Sequence, residues 1–415
     1  MTSSATNADV ILGAEDDGRP HSRHHSSVSH MLPMRFILTV IGLTGVLHAY
    51  IGLRLLPALD PGSAGIVLGI VLLALSTLLI PFGLLARALP GRLNEPVASS
   101  LTWAGLIGGG FASSLLVLTA VRDLLLLLAM VVLPTGRFQT VAYFSAWGVV
   151  LTALLFTAIG LFNARRRPQV VEVDVRLNDL PAGLHGFTIT QISDIHAGPT
   201  IKRAFLERIV NQVNSLESDL IAITGDLVDG SVHELAMHVE PLARLKAKYG
   251  TFFVTGNHEY YSGAPAWVRE LRRLGLFVLQ NEHVVLYHQG VPFVLAGVTD
   301  YSAHHFDERQ RSDPMAALIG APKNPIPKIL LAHQPRSATA AQAAGFHLQL
   351  SGHTHGGQFL PWNFFVRLQQ PFTAGLHRLE DLWVYTSRGT GYWGPPKRLG
   401  APAEITRLRL LAADT

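Results

Sequence analysis

Hydrophobic residues follow two regimes along the chain. Between residues 36 and 162 they form four long runs that are nearly free of charge; beyond residue 170 they come in short bursts separated by polar clusters. The runs are FILTVIGLTGVLHAYIGLRLL from Phe36, IVLGIVLLALSTLLIPFGLLA from Ile66, LTWAGLIGGGFASSLLVLTAV from Leu101 and VAYFSAWGVVLTALLFTAIGLF from Val141. Each is about 20 residues, the length an α-helix needs to cross roughly 30 Å of hydrocarbon. Pro81 predicts a kink in the second, which neighbouring helices can tolerate by satisfying the freed carbonyl. The third is followed by Arg122, Asp123 and LLLLLAMVVLP, a segment too short to span alone. It either extends the third helix, with the Arg–Asp pair near one interface, or lies in the interface. Gly108, Gly109, Gly110 and the following Ala112-Ser113-Ser114 suit close helix packing.

After Arg167 the pattern is that of an α/β domain. VVEVDVRL (170–177) alternates like a strand, and FTITQISD (187–194) and LIAITGD (220–226) read as buried strands. Leu206, Ile209, Val210, Val213 and Leu216 have helical spacing, and a second helix is expected over 233–248. TFFVTGNHE (251–259) repeats the passage from strand to loop, and further strands are expected near 276–280, 283–287, 292–297, 328–332, 347–350 and 382–386. Alternation of strands and helices predicts sheets covered by helices.

Composition sharpens this division. Hydrophobic residues make up 48% of the 415 and charged residues only 15%, against roughly 25% in an average soluble chain. The depletion lies in the four runs. The expected organisation is a polar, disordered, His-rich tail over 1–34 (with HSRHHSSVSH), a four-span membrane domain over 35–164 and an α/β domain over 165–415. There is no twin-arginine pair before the first run and no small-residue cleavage pattern after it, so a removed signal peptide is not expected. The net charge is only +4, and basic residues flank the runs: Arg19, Arg23 and Arg35, then Arg87 and Arg92, then Arg165, Arg166 and Arg167 on one side, against Arg54 and Arg137 on the other. This bias places both ends of the bundle, and the domain after it, on the cytoplasmic side of a bacterial inner membrane. No nucleic-acid binding is expected. The absence of cysteine excludes disulfides, thiol catalysis and zinc–thiolate sites.

The chemistry sits where strands end. Asp194 and His196, Asp226 and Asp229, Asn257, His258 and Glu259, His333, and His353 and His355 each follow an apolar burst, in loops that can converge at the carboxyl ends of strands. Imidazole and carboxylate donors together suit Mn, Fe, Zn, Co or Ni. Asp226 is a natural bridging carboxylate, and two cations roughly 3.5–4 Å apart polarise a phosphoryl oxygen and generate hydroxide near neutral pH. Asp229 and Glu259 are open between supporting and turn roles. His304 and His305 read either as a polar loop or as lining of a substrate cleft, and Arg336 and Arg388 either as salt-bridging residues or as partners for phosphate groups. Trp362, Trp393 and the aromatic stretch 361–376 either meet a membrane or lipid, or pack inside.

DIH, GDLVD, GNHE, a lone His after a strand and GHTHGGQ, in this order, resemble the calcineurin-like metallophosphoesterase superfamily over about residues 170–412. The ending TSRGTGYWGPPKRLGAPAEITRLRL resembles a bacterial membrane-associated branch, some members of which hydrolyse UDP-2,3-diacylglucosamine or other lipid-linked phosphates. The resemblance implies a two-sheet sandwich flanked by helices. It implies one divalent cation on Asp194, His196, Asp226 and His355, and a second on Asp226, Asn257, His333 and His353. A bridging hydroxide would attack phosphorus, and His258 would act as the catalytic residue at the leaving group. The expected substrate is a phosphorylated, amphiphilic small molecule reached from the lipid bilayer. The alternatives are a soluble nucleotide or phosphoprotein substrate, or a membrane scaffold with a degenerate site.

Overall fold

The computed structural model describes residues 34–88, 94–322 and 327–413. The expected tail, and with it Arg19, Arg23 and Arg92, lies outside the described residues. Contacts divide the chain into two units. The first is helical and extends to Arg165, and it also takes in Gly394–Leu399; the second runs from Arg166 to Trp393 and from Gly400 onward.

Four helices form the first unit: α1 (Met34–Leu59), α2 (Gly62–Ala88), α3 (Glu95–Val132) and α4 (Thr135–Arg165). All four are long and apolar enough to cross a membrane. The segment after Arg122 is not separate. It continues α3 to 38 residues, or about 57 Å at 1.5 Å per residue. The charge this carries into the bundle is neutralised locally. Arg54 donates to Asp123 through Nε (2.7 Å) and Tyr50 donates through its hydroxyl (2.8 Å). Arg122 donates to Ser145 Oγ and to the Ala142 carbonyl. The closest helix approach is not at Gly108 but where Gly83 meets Gly105: a Cβ on Gly105 would lie 2.9 Å from the Gly83 Cα. Gly110 and Gly160 instead make room for the hexapeptide Gly394–Leu399. A Cβ on Gly160 would come 2.5 Å from Lys397 Cγ. The buried Lys397 ammonium donates to the Gly110 carbonyl (3.0 Å) and to Ser114 Oγ.

The second unit begins with β1 (Gln169–Leu177), β2 (Thr188–Ile192), α5 (Arg203–Asn214), β3 (Leu220–Ile223), α6 (Val232–Val239) and β4 (Thr251–Phe253). It continues with α7 (Asn257–Tyr261), α8 (Ala264–Arg273), β5 (Phe277–Val278), β6 (Glu282–His288), β7 (Val291–Gly297), β8 (Lys328–Leu331) and α9 (Ala338–Ala343). It closes with β9 (Leu348–Ser351), α10 (Trp362–Val366), β10 (Gly375–Leu379), β11 (Leu382–Thr386) and β12 (Glu404–Ala412). Among the described residues there are two six-stranded mixed sheets, ordered β1-β12-β2-β3-β4-β5 and β10-β11-β9-β8-β7-β6. The helix expected over 233–248 is shorter, because Pro241 cannot continue the α pattern and a 3₁₀ turn takes over at Glu240–Arg244.

The period of two in each strand builds the sandwich. On β7 and β8, Phe293, Leu295, Ile329 and Leu331 point inward, where they meet Ile189, Leu220, Ala222 and Phe252 of the other sheet. The alternate residues Val294, Ala296 and Leu330 pack on Ala338 and Ala341 of α9. α5 buries Phe205, Leu206, Ile209, Val210 and Val213, the helical stripe legible in the sequence. Parallel pairing of β2, β3 and β4, and of β8 and β9, sends their carboxyl ends the same way within each sheet.

Candidate metal centre

Five loops leave the carboxyl ends of β2, β3, β4, β8 and β9, and their polar residues gather in one place. Asp194, His196 and His355 each offer a ligating atom within 4.8 Å of the others; so do His196, Asp226 and His258, and so do Asp226, His333 and His353. His196 and Asp226 each belong to two of these groups, which makes the cluster continuous. His196 Nε2 and His355 Nε2 face each other at 3.1 Å, and His353 Nδ1 and His333 Nε2 at 3.2 Å. Asp226 Oδ2 lies 3.1 Å from His333 Nε2, and His355 Nε2 lies 3.4 Å from Asp194 Oδ1.

The backbone is bent to achieve this. Asp194, His196, Asp226, His353 and His355 all have left-handed φ values, between 51° and 71°. Such conformations cost about 1–3 kcal/mol each for non-glycine residues and persist where surroundings enforce them. Here the loops are zipped together: His196 N–H donates to the Asp226 carbonyl (3.1 Å) and Ala197 N–H to the Leu227 carbonyl (2.8 Å). The His353 N–H donates to Asp194 Oδ1 (2.9 Å), and the His258 N–H to Asp226 Oδ1 (2.9 Å). The preceding glycines are required for space. A Cβ on Gly256 would sit 2.2 Å from Asp226 Oδ1, and one on Gly352 2.2 Å from Asp194 Oδ2.

Two residues whose roles the sequence left open turn out to support the cluster. Asp229 Oδ1 accepts from His196 Nδ1 (3.0 Å) and from His258 Nδ1 (2.6 Å), which leaves the Nε2 atoms of both rings facing the centre. Glu259 is buried, and its carboxylate accepts the N–H groups of Asp226, Leu227, Val228 and Gly256. Burial and the nearby Asp226 push this carboxyl up to about 8 despite those donors. Glu259→Gln puts an NH₂ where some of these amides need an acceptor. It should cost roughly 1–3 kcal/mol for each amide left unpaired, read as a lower Tm, whereas an unchanged Tm would remove the support assigned to Glu259. His333 Nδ1 donates to the Thr224 carbonyl (2.7 Å), which orients its Nε2 in the same way.

The electrostatics centre on Asp226. Burial pushes Asp194 upward, and Asp226 adds to it. Burial also opposes the charge on Asp226, but His333, His258 and His196 outweigh it and hold the group well below the ordinary carboxylate range. Burial disfavours charge on His258 and His333 too, yet Asp226 overrides it, raising His258 to about 9 and His333 well above its usual value. Burial and then His333 drive His353 down to about 3. The cluster thus favours positive charge beside Asp226. Asn257 fits the same picture: its Oδ1 is buried and has no hydrogen-bond partner, a costly arrangement for a polar atom unless a cation completes it. These donors suit divalent metal ions.

Other polar residues singled out in the sequence stand apart from the cluster's centre. Arg388 pairs with the buried Glu404 (2.8 Å), and Arg336 donates to the Gln369 carbonyl (2.8 Å). His304 and His305 lie in a 3₁₀ turn. The rings of Tyr261 and of Trp393, which the sequence left open between a membrane or lipid contact and the interior, stand edge-on to His258 at 5.2 and 5.7 Å.

Comparison with known proteins agrees with this geometry. The calcineurin-like phosphoesterase family profile matches residues 187–357, a stretch that contains every residue of the cluster. The chain is similar to proteins named "Transmembrane protein with metallophosphoesterase domain". One, from Danio rerio, is 38% identical over 63% of this chain and 62% of its own length. Another, from Bos taurus, is 41% identical over 65% of this chain and 62% of its own length. The chain therefore spans less than two thirds of these two relatives. It is also similar to an uncharacterized metallophosphoesterase of Helicobacter pylori, at 37% identity over 66% of this chain and 73% of that one. The second unit is thus a metal-dependent phosphoesterase domain, attached to helices of membrane-spanning length. With the family profile matching across the cluster and a relative 37% identical over 73% of its own length, the chain belongs to the calcineurin-like metallophosphoesterase family.

Proposed function

We propose that the chain is a membrane-bound hydrolase of phosphate ester or pyrophosphate bonds, acting on a phosphorylated, amphiphilic small molecule. Asp194, His196, Asp226 and His355 hold one divalent ion; Asp226, Asn257, His333 and His353 hold a second, with Asp226 shared. Bound there, the ions supply Lewis-acid polarisation of a phosphoryl oxygen and a water of lowered pKa. The single observation that carries this reading is the buried, unpartnered Asn257 Oδ1 within a continuous cluster of imidazole and carboxylate donors.

The chain's own residues do the rest. Thr224 and Asp229 fix the rings of His333 and His196, so that ligation needs little reorganisation. His258, anchored through Nδ1 by Asp229 and raised to about 9, carries a proton on Nε2 near neutrality. It can pass that proton to the departing ester oxygen, as general acids do. The arginines Arg165, Arg166 and Arg167 after α4 favour a cytoplasmic position for this domain at a bacterial inner membrane.

The test is a substrate screen of the detergent-solubilised full chain loaded with Mn, Fe, Zn, Co or Ni. It should contain bis-p-nitrophenyl phosphate, soluble nucleotides, phosphopeptides, lipid phosphates and nucleotide-linked lipids. Metal-dependent turnover fastest on the lipid-linked compounds is expected, with about two ions per chain by metal analysis. Turnover fastest on nucleotides or phosphopeptides would overturn the amphiphilic substrate, and a chain that takes up no metal and cleaves nothing would be a scaffold.

A further inference from the structure

The turn that carries His353 and His355 continues into an exposed apolar element. Leu360 is 44% exposed, Phe364 61%, Phe365 54% and Leu368 82%. These residues lie on and beside α10, and the stretch Phe359–Gln370 has one charged residue, Arg367, which is exposed. Soluble surfaces scatter such side chains singly; a group of four within nine residues marks an interaction site.

Its place in the chain points to the partner. α10 rides on the ligand turn: a Cβ on Gly357 would lie 2.1 Å from the Asn363 Cα, and Thr354 Oγ1 donates to the Thr373 carbonyl (2.6 Å), closing the loop at its base. The same loop is clasped to Trp393 and Gly400. Gln358 donates to the Trp393 carbonyl and accepts from its N–H (2.9 and 2.8 Å), and Phe359 bridges to Gly400. Trp393 and Gly400 flank the hexapeptide that packs on α3 and α4, and only Arg166, Arg167 and Pro168 separate α4 from β1. Exposed aromatic and aliphatic side chains, a single cation and no acid match the chemistry of a bilayer interface, where apolar groups bury in the acyl boundary and Arg meets lipid phosphate.

We propose that Leu360, Phe364, Phe365 and Leu368 insert into the interfacial layer of the bilayer that holds α1–α4. This rests on reading those helices as membrane spans. The consequence is that the turn bearing His353 and His355 is held at headgroup depth, where the phosphate of an amphiphile resides.

The absence of cysteine makes the test direct. Full-length Phe364→Cys, Leu368→Cys, Ile319→Cys and Leu72→Cys variants, each carrying an NBD label, are reconstituted into phosphatidylcholine–phosphatidylglycerol vesicles with and without brominated acyl chains. Ile319 is exposed at a distant turn and reports water; Leu72, on α2, reports the hydrocarbon. Blue-shifted emission quenched by bromine at 364 and 368, with neither at 319, is expected. Labels at 364 and 368 that behave like the one at 319 while the label at 72 is quenched overturn the insertion alone. An unquenched label at 72 overturns the membrane reading beneath it. Emission at 364 and 368 that shifts only with protein density, without bromine quenching, would identify a second copy as the occupant and also overturns the proposal. Elution of each variant at the parent's volume in detergent checks folding.

Discussion

Asp226→Asn is expected to abolish hydrolysis. Asp226 Oδ1 accepts the His258 N–H, while Oδ2 lies 3.1 Å from His333, 3.9 Å from His196 and 4.0 Å from His258. One carboxylate oxygen therefore lies within 4.0 Å of three imidazoles and, in the proposed function, the group is shared by both ions. The amide keeps the shape but removes the charge that favours cations at the centre. It also turns either an NH₂ or a weaker acceptor toward nitrogen atoms that are themselves oriented by Thr224 and Asp229. Several kcal/mol of transition-state stabilisation depend on the ions, so kcat on bis-p-nitrophenyl phosphate should fall on the order of 10³-fold or more. Bound metal, measured by elemental analysis, should fall with it. A variant with near-parental turnover and full metal content would remove Asp226 from the centre of the reaction.

His258→Gln should give a loss of a different kind. Its ring is the most exposed of the rings gathered at Asp226, and its backbone N–H, not its ring, makes the contact to Asp226 Oδ1. The ions should therefore remain. What disappears is the proton held on Nε2 by Asp226 and Asp229. General acid catalysis contributes about 10²–10⁴-fold, and the effect should depend on the leaving group. Alkyl phosphates, whose alkoxides need a proton, should lose the full factor; p-nitrophenyl esters should lose much less. Rates across a series of leaving groups, with metal content measured in parallel, separate the roles. An equal loss across the series would assign His258 to binding the phosphoryl group instead.

Most strands were legible because each carries its own signal. β2, β3, β4, β8 and β9 are apolar bursts that end at a polar residue, and the same pattern pointed to which side chains gather. β12 was not legible. Glu404–Ala412 carries Arg407 and Arg409, and it reads as a strand only once it lies between β1 and β2, with Glu404 buried against Arg388 and Tyr385. That pairing joins segments more than two hundred residues apart, and nothing local encodes it. The four apolar runs gave the helices but left open whether the LLLLL segment extends the third or lies in the interface; the extension goes with Arg54, Tyr50, Ser145 and Ala142 satisfying Arg122 and Asp123. At the site, the ligand types were visible, while the neighbours of His258 were not. Tyr261 stands one turn beyond His258 on α7, while Trp393 comes from a segment far along the chain, and only the packed structure brings an edge of each ring to the imidazole.

The hexapeptide Gly394–Leu399 has a practical consequence for dissecting the protein. Among the described residues the polypeptide crosses between the two units three times: once after α4, once before Gly394 and once after Leu399. A protease that nicks the arginine run at Arg165–Arg167 severs the polypeptide between α4 and β1, yet the hexapeptide stays packed among the helices, so the two fragments remain held by noncovalent contacts. A soluble fragment started at Arg166 would carry Lys397 away from the Gly110 carbonyl and Ser114 hydroxyl that now receive its protons, stranding a Pro-Pro-Lys finger in solvent. Freeing the phosphoesterase domain thus demands, beyond that cut, withdrawal of the finger from its place among the helices or a truncation that sacrifices it.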